Sequence, residues 1–87
     1  SGDPIYATHE GFISRIRVEE YGYGNALYIE HPNGFTSVYA HLDKFSPEIA
    51  AYVKQEQYNA ETFKIDLTPD KEKFPVAPHQ QIGNMGN

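Results

Sequence analysis

The stretch Pro32-Asn33-Gly34-Phe35 lies between two β-prone runs and constrains the fold of this chain more than any other segment. Asn-Gly is the preferred filling of a two-residue type I′ turn, because both central positions need positive φ. A hairpin turning on Asn33 and Gly34 sets its own register by counting outward. Ile29 then faces Val38 and Leu27 faces Ala40, giving one apolar face. On the other face Tyr28 meets Tyr39, Glu30 meets Ser37 and Ala26 meets His41.

The flanking segments extend this reading to an antiparallel, mainly β fold. Residues 4–7 form a short strand, and residues 8–11 form a turn in which Gly11 takes positive φ. Residues 12–18 alternate, with Phe12, Ser14, Ile16 and Val18 on one face and Arg15 and Arg17 on the other. A glycine-punctuated loop over 21–25 leads into a strand over 26–31. After Asp43 the character changes. Ser46, Pro47 and Glu48 supply an N-cap, a first-turn proline and a first-turn acid. Ile49, Tyr52 and Val53 continue at helical spacing, so a helix is expected over about 47–59. Residues 62–67 follow as a strand with Phe63, Ile65 and Leu67 on one side, and 68–73 as a polar turn. A short strand, a turn at Pro78-His79 and a further strand from Gln80 end the pattern, and 84–87 show no closing element.

Size and charge narrow the function. A chain of 87 residues makes one small domain. Twelve acidic against seven basic residues give a net charge of −5, and the basic residues are scattered, so nucleic-acid binding is not expected. No apolar run approaches the length that crosses a bilayer, and no secretory signal is read in the chain. Without cysteine there is no disulfide, no thiol nucleophile and no thiolate metal site.

Histidine is then the natural place to look for chemistry near neutral pH. The hairpin register sends Tyr39 and His41 away from the core, beside Tyr28 and Ala26. His41 has room there for a substrate, or is an ordinary surface histidine; both readings stand. His31 shares the face of Leu27 and Ile29, so it is a buried or half-buried residue hydrogen-bonded near the turn, while His9 and His79 lie in turns. No two histidines stand at a ligand spacing, and no metal site is read within these residues. Tyr21, Tyr23, Tyr28 and Tyr39 either line a groove or serve strand packing alone.

Four ordered blocks carry a resemblance. Gly2-Asp3-Pro4-Ile5-Tyr6-Ala7 with Gly11-Phe12-Ile13, then Tyr23-Gly24-Asn25 with Ile29-Glu30-His31 and Asn33-Gly34, come first. Val38-Tyr39-Ala40-His41-Leu42 and the stretch from Val76 to Gln81-Ile82-Gly83 and Gly86 complete the set. Together they resemble the lysostaphin-type (LytM-like) zinc metallopeptidases, whose blocks read G-x-P-V-Y-A, Y-G-N … I-x-H-x-N-G, Y-A-H-L and V-x-x-G-Q-x-I-G-x-x-G. The resemblance implies an antiparallel sheet or sandwich of the duplicated-hybrid-motif type, with residues 1–87 as part of one peptidase domain. Residues 46–73, helix included, are expected to be an insertion that flanks the groove and shapes substrate choice or binds a protein partner.

In that family the zinc ligands are a His-x-x-x-Asp pair before the first block and the second histidine of a His-x-His pair after the last. The resemblance therefore implies zinc bound by residues outside these 87. Asp3 fills the variable place of its block, and His79 stands where relatives usually have glycine. His41 matches the family's catalytic histidine, which orients the attacking water and steadies the tetrahedral intermediate. Tyr39, Tyr28, Tyr23 and Asn25 are the candidates for the substrate groove around it. The expected function is metal-assisted hydrolysis of peptide bonds in peptidoglycan, in the periplasm or outside the bacterial cell. The alternative is a catalytically inactive relative that binds the wall or regulates another hydrolase. A carrier or phosphotransfer domain is disfavoured, because the turn at Asn33-Gly34 presents no lysine.

Overall fold

The computed structural model describes residues 2–86. Within them the chain forms β1 (Pro4–Tyr6), β2 (Gly11–Val18), β3 (Asn25–Glu30), β4 (Thr36–Phe45), α1 (Pro47–Ala60), β5 (Ile65–Leu67), β6 (Pro75–Val76) and β7 (Gln81–Met85). The strands make one antiparallel sheet in the order β1-β7-β4-β3-β2-β5, with β6 also beside β2. A mainly β, antiparallel fold with a single helix is what the patterning implied. No described helix is long and apolar enough to cross a membrane.

The core is built from Ile13, Ile16, Leu27, Ile29 and Ile82, all fully enclosed, with Val18, Leu42, Phe45 and Ile65 around them. Each such aliphatic side chain contributes about 1.5–3 kcal/mol when taken from water. Helix α1 adds Ile49 and Val53 to this core, one turn apart on the face toward the sheet. It starts where expected, with Ser46 in extended conformation and proline in the first turn, although the Ser46 hydroxyl makes no capping bond. It ends at Glu61, whose left-handed φ of 54° turns the chain away.

The hairpin differs from the expected one. Its loop has three residues, Pro32, Asn33 and Gly34, closed by His31 N–H to the Phe35 carbonyl at 2.8 Å and Gly34 N–H to the His31 carbonyl at 2.9 Å. Only Gly34, at φ 90°, is left-handed. Proline suits the first position of an ordinary turn, and a following left-handed glycine makes the common three-residue hairpin. The register consequently moves by one: Tyr28 pairs with Val38, Leu27 with Tyr39, Ile29 with Ser37 and Glu30 with Thr36. Tyr39 packs against the core, and Val38 is 47% exposed.

Strand β2 also departs from strict alternation. A bulge between Ile13 and Arg15 lets both Ile13 and Ile16 face the core, in place of Phe12 and Ser14. Gly11 does not take positive φ; a Cβ there would stand 2.3 Å from the Glu30 carbonyl oxygen, so it is close strand approach that requires glycine. The expected strand over 62–67 is confined to Ile65–Leu67, because the left-handed helix end carries Phe63 out to the surface, 58% exposed. At the end of the chain, β7 continues through Met85 and fills the place between β1 and β4, so residues 84 and 85 close the sheet; Asn87 lies outside the described residues.

Candidate functional site

The position of His41 follows from an irregularity in β4. Asn25 pairs with Leu42 while Leu27 pairs with Tyr39, so Ala26 stands opposite both Ala40 and His41. The extra residue is taken up as a bulge with His41 at φ 58°. The new register would have turned His41 toward the core with Tyr39; the bulge turns it back out, and it is exposed. A side chain with a Cβ costs about 1–2 kcal/mol in the left-handed region, so the surrounding structure must hold it there.

That hold comes from both neighbouring segments. The His41 N–H donates to the Tyr23 carbonyl at 2.9 Å, and its carbonyl accepts from Gly86 N–H at 3.0 Å. A Cβ on Gly86 would lie 2.4 Å from that carbonyl, so only glycine permits the approach. Asn25 donates through Nδ2 to the Leu42 carbonyl at 3.0 Å, fixing the strand just past the bulge. The Tyr23 ring meets the imidazole edge-on, centroids 6.2 Å apart, and orients it.

His41 opens on a cleft of about 620 Å³ that also has Glu19, Glu20, Gly24, Asn25, Asp43 and Phe63 on its walls. Its carboxylates give the cleft a negative lining; Glu19 pairs with Arg17 at 3.1 Å. Of the residues expected around His41, the structure brings Tyr23 and Asn25 to it. Tyr28 lies instead on the outer face with Arg15, whose guanidinium is 5.2 Å from its ring centre, and accepts from Arg17 at 3.3 Å. Tyr39 packs on the core. Glu19, Glu20, Asp43 and Phe63 were not singled out from the sequence; carboxylates in a polar loop and one phenylalanine in an apolar run carry no pattern that marks a cleft.

The other histidines stand apart. His31 is 8% exposed. Its Nδ1–H donates to the Glu10 carbonyl at 2.6 Å, and Nε2 accepts from the Ser37 hydroxyl at 2.7 Å. Both ring nitrogens are thus committed, and His31 ties the hairpin to the start of β2, as its place on the core face suggested. His9 is exposed, edge-on to His31 at 6.0 Å. His79 is exposed in its turn at φ 66°, a conformation that favours glycine. Among the described residues no three His, Asp or Glu side chains gather to hold a metal ion. The zinc set that the family resemblance implies is not assembled by these residues.

Comparison with known proteins agrees with the motif blocks. The chain is 44% identical over 45 residues to the DD-carboxypeptidase/endopeptidase Mpg of Neisseria meningitidis serogroup B, and equally to that of Neisseria gonorrhoeae. Those 45 residues are 52% of this chain and 10% of the relatives, so the chain spans only a small part of the proteins it matches. No solved structure matches it. The profile of Peptidase family M23 matches residues 1–66, which takes in His41, Tyr23 and Asn25, and the chain belongs to that family.

Proposed function

We propose that residues 1–87 are the central part of a zinc-dependent endopeptidase domain that hydrolyses peptide bonds in bacterial peptidoglycan, with His41 as its catalytic histidine. The observation that carries this reading is the geometry of His41: exposed on an open cleft and held by backbone bonds in the left-handed region, uncommon within a strand. Left-handed residues also end α1 at Glu61 and make the turn at His79. His41 alone of the three lies within a strand and on the cleft, and strain of this kind clusters at functional sites. Membership of family M23 and the names of the Neisseria relatives supply the reaction class. Peptidoglycan as the substrate implies a place in the bacterial cell envelope, periplasmic or extracellular.

In this reading a substrate peptide lies along the cleft with its scissile carbonyl at the imidazole. A His41 N–H donates to the oxygen that gains charge as the carbonyl is attacked, or holds the attacking water. One positioned donor of this type is worth about 10²–10³ in kcat. Tyr23 keeps the ring from rotating away, and Asn25 keeps the strand from slipping. The zinc would be held by histidine and aspartate side chains outside these residues and would supply the Lewis acid. Segment 46–73 is an insertion in this reading, and it contributes Phe63 to the cleft wall.

The test is His41→Ala in the intact parent protein. Hydrolysis of purified peptidoglycan should fall by about 10²-fold or more, while metal content by elemental analysis stays that of the wild type. Full turnover in the variant would remove His41 from the chemistry. A parent that neither hydrolyses the wall nor holds zinc would be the inactive relative.

A further inference from the structure

Beyond the His41 cleft, the surface continues into a second cavity of about 390 Å³ beside helix α1. The two adjoin: Asn25, Asp43 and Phe63 stand on the walls of both. The second cavity is otherwise formed by Val18, Lys44, Phe45, Ala50, Val53 and Gln57. Its amide groups are already engaged. Asn25 Nδ2 donates to the Leu42 carbonyl, and Gln57 Nε2 donates to the Phe63 carbonyl at 2.8 Å. Beside the charged side chains of Asp43 and Lys44, the cavity offers an occupant chiefly apolar contact, at a volume within the range of small-ligand sites.

Phe63 marks the passage between the two. Its ring is largely exposed, and its backbone is anchored. Gln57 grips its carbonyl, Thr62 N–H donates to the Gln57 carbonyl at 3.1 Å, and left-handed Glu61 fixes the exit from the helix. An aromatic ring fixed on a stable support beside a cleft is suited to hold an apolar group.

We propose that this cavity is a substrate subsite, taking an apolar side chain of the peptide whose scissile bond lies at His41, with Phe63 as a specificity-determining residue. The proposal rests on the peptidase reading above. The occupant follows from adjacency, since the cavity shares Asn25, Asp43 and Phe63 with the cleft in which the peptide would lie. Segment 46–73 then acts in selection of substrate through Ala50, Val53 and Phe63.

The experiment uses the intact parent protein and soluble cross-linked muropeptides released from purified peptidoglycan. Ala50 is exposed on the helix and borders the cavity, so Ala50→Phe fills it without removing a core side chain. Phe63→Ala removes the wall. Both should raise KM about tenfold, the value of burying one small apolar side chain, with a smaller change in kcat. Ala51→Phe, exposed one position along the helix and away from the cavity, should behave as wild type. Wild-type KM in both Ala50→Phe and Phe63→Ala would overturn the subsite. If the wild type shows no hydrolysis, the peptidase reading fails, and co-sedimentation with purified peptidoglycan decides the subsite separately. Weaker binding by Ala50→Phe than by Ala51→Phe supports it; equal binding, or none by any form, overturns it.

Discussion

Replacing His41 by glycine should damage activity and yet cost less stability than replacing it by alanine. Both substitutions remove the imidazole and its edge contact with Tyr23, so that loss is common to the two. They differ in the backbone. Alanine retains a Cβ at φ 58° and keeps a penalty of about 1–2 kcal/mol, which glycine escapes. Against this, glycine has more freedom in the unfolded chain, which costs about 0.5–1 kcal/mol relative to alanine. At mid-range the difference leaves His41→Gly more stable than His41→Ala by about 0.75 kcal/mol, or roughly 1.5–6 °C in Tm across domain sizes of about 60–250 residues. Thermal unfolding of the two variants in the parent protein, followed by circular dichroism, reads this directly. Both should lose about 10²-fold or more of their activity on peptidoglycan. Should the alanine variant prove equally stable or more stable, His41 is not held against its own preference, and the account of how it is presented is wrong.

Two further outcomes test the scaffold. Gly11→Ala places a Cβ against the Glu30 carbonyl and should destabilise by about 1–3 kcal/mol, measured as a lower urea midpoint at unchanged slope. The Arg15 guanidinium, hydrogen-bonded to Asp66 through Nε at 2.8 Å, holds that carboxyl below its usual range. Because the folded-state value is depressed, the stabilisation is present above the ordinary carboxylate value and is lost as pH falls through the folded value. Asp66→Asn should therefore lower Tm near neutral pH and cease to differ from wild type in acid. The gap should be small, and smaller still in about 0.5 M salt, because the pair is half exposed.

Local chemistry was legible in the sequence where one residue decides the outcome. Pro47 after Ser46 marked the helix start to the residue, and the spacing of Ile49 and Val53 marked its buried face. The place of His31 on the core face was likewise readable from its neighbours Leu27 and Ile29. The hairpin shows where such reading stops. Asn33-Gly34 announced a turn, but Pro32 ahead of it favoured the three-residue loop, and one residue of loop length exchanges the faces of a whole strand. The exposure of His41 was expected for a reason that does not hold. It comes from a bulge, and a bulge is set by what lies on both sides of a strand. Here those sides are Tyr23 and Gly86, far apart in the chain. Phe63 escaped for the same reason: its position depends on how α1 ends and on which strand lies nearest.

The placement of β7 has a consequence for the order in which this protein acquires its site. β4 needs β7 along one edge, and β7 in turn receives β1, so β1 waits for a strand made about 75 residues later. Until then β4 has an unpaired edge, the kind of surface that recruits other strands. The carbonyl of His41 also waits, since its donor is Gly86. A nascent chain ending before that glycine would carry the meander β2-β3-β4 and the helix but lack half of the clamp on His41. The geometry of His41 is thus completed only once β7 has been made, and long-range closure of this kind is a slow step in folding.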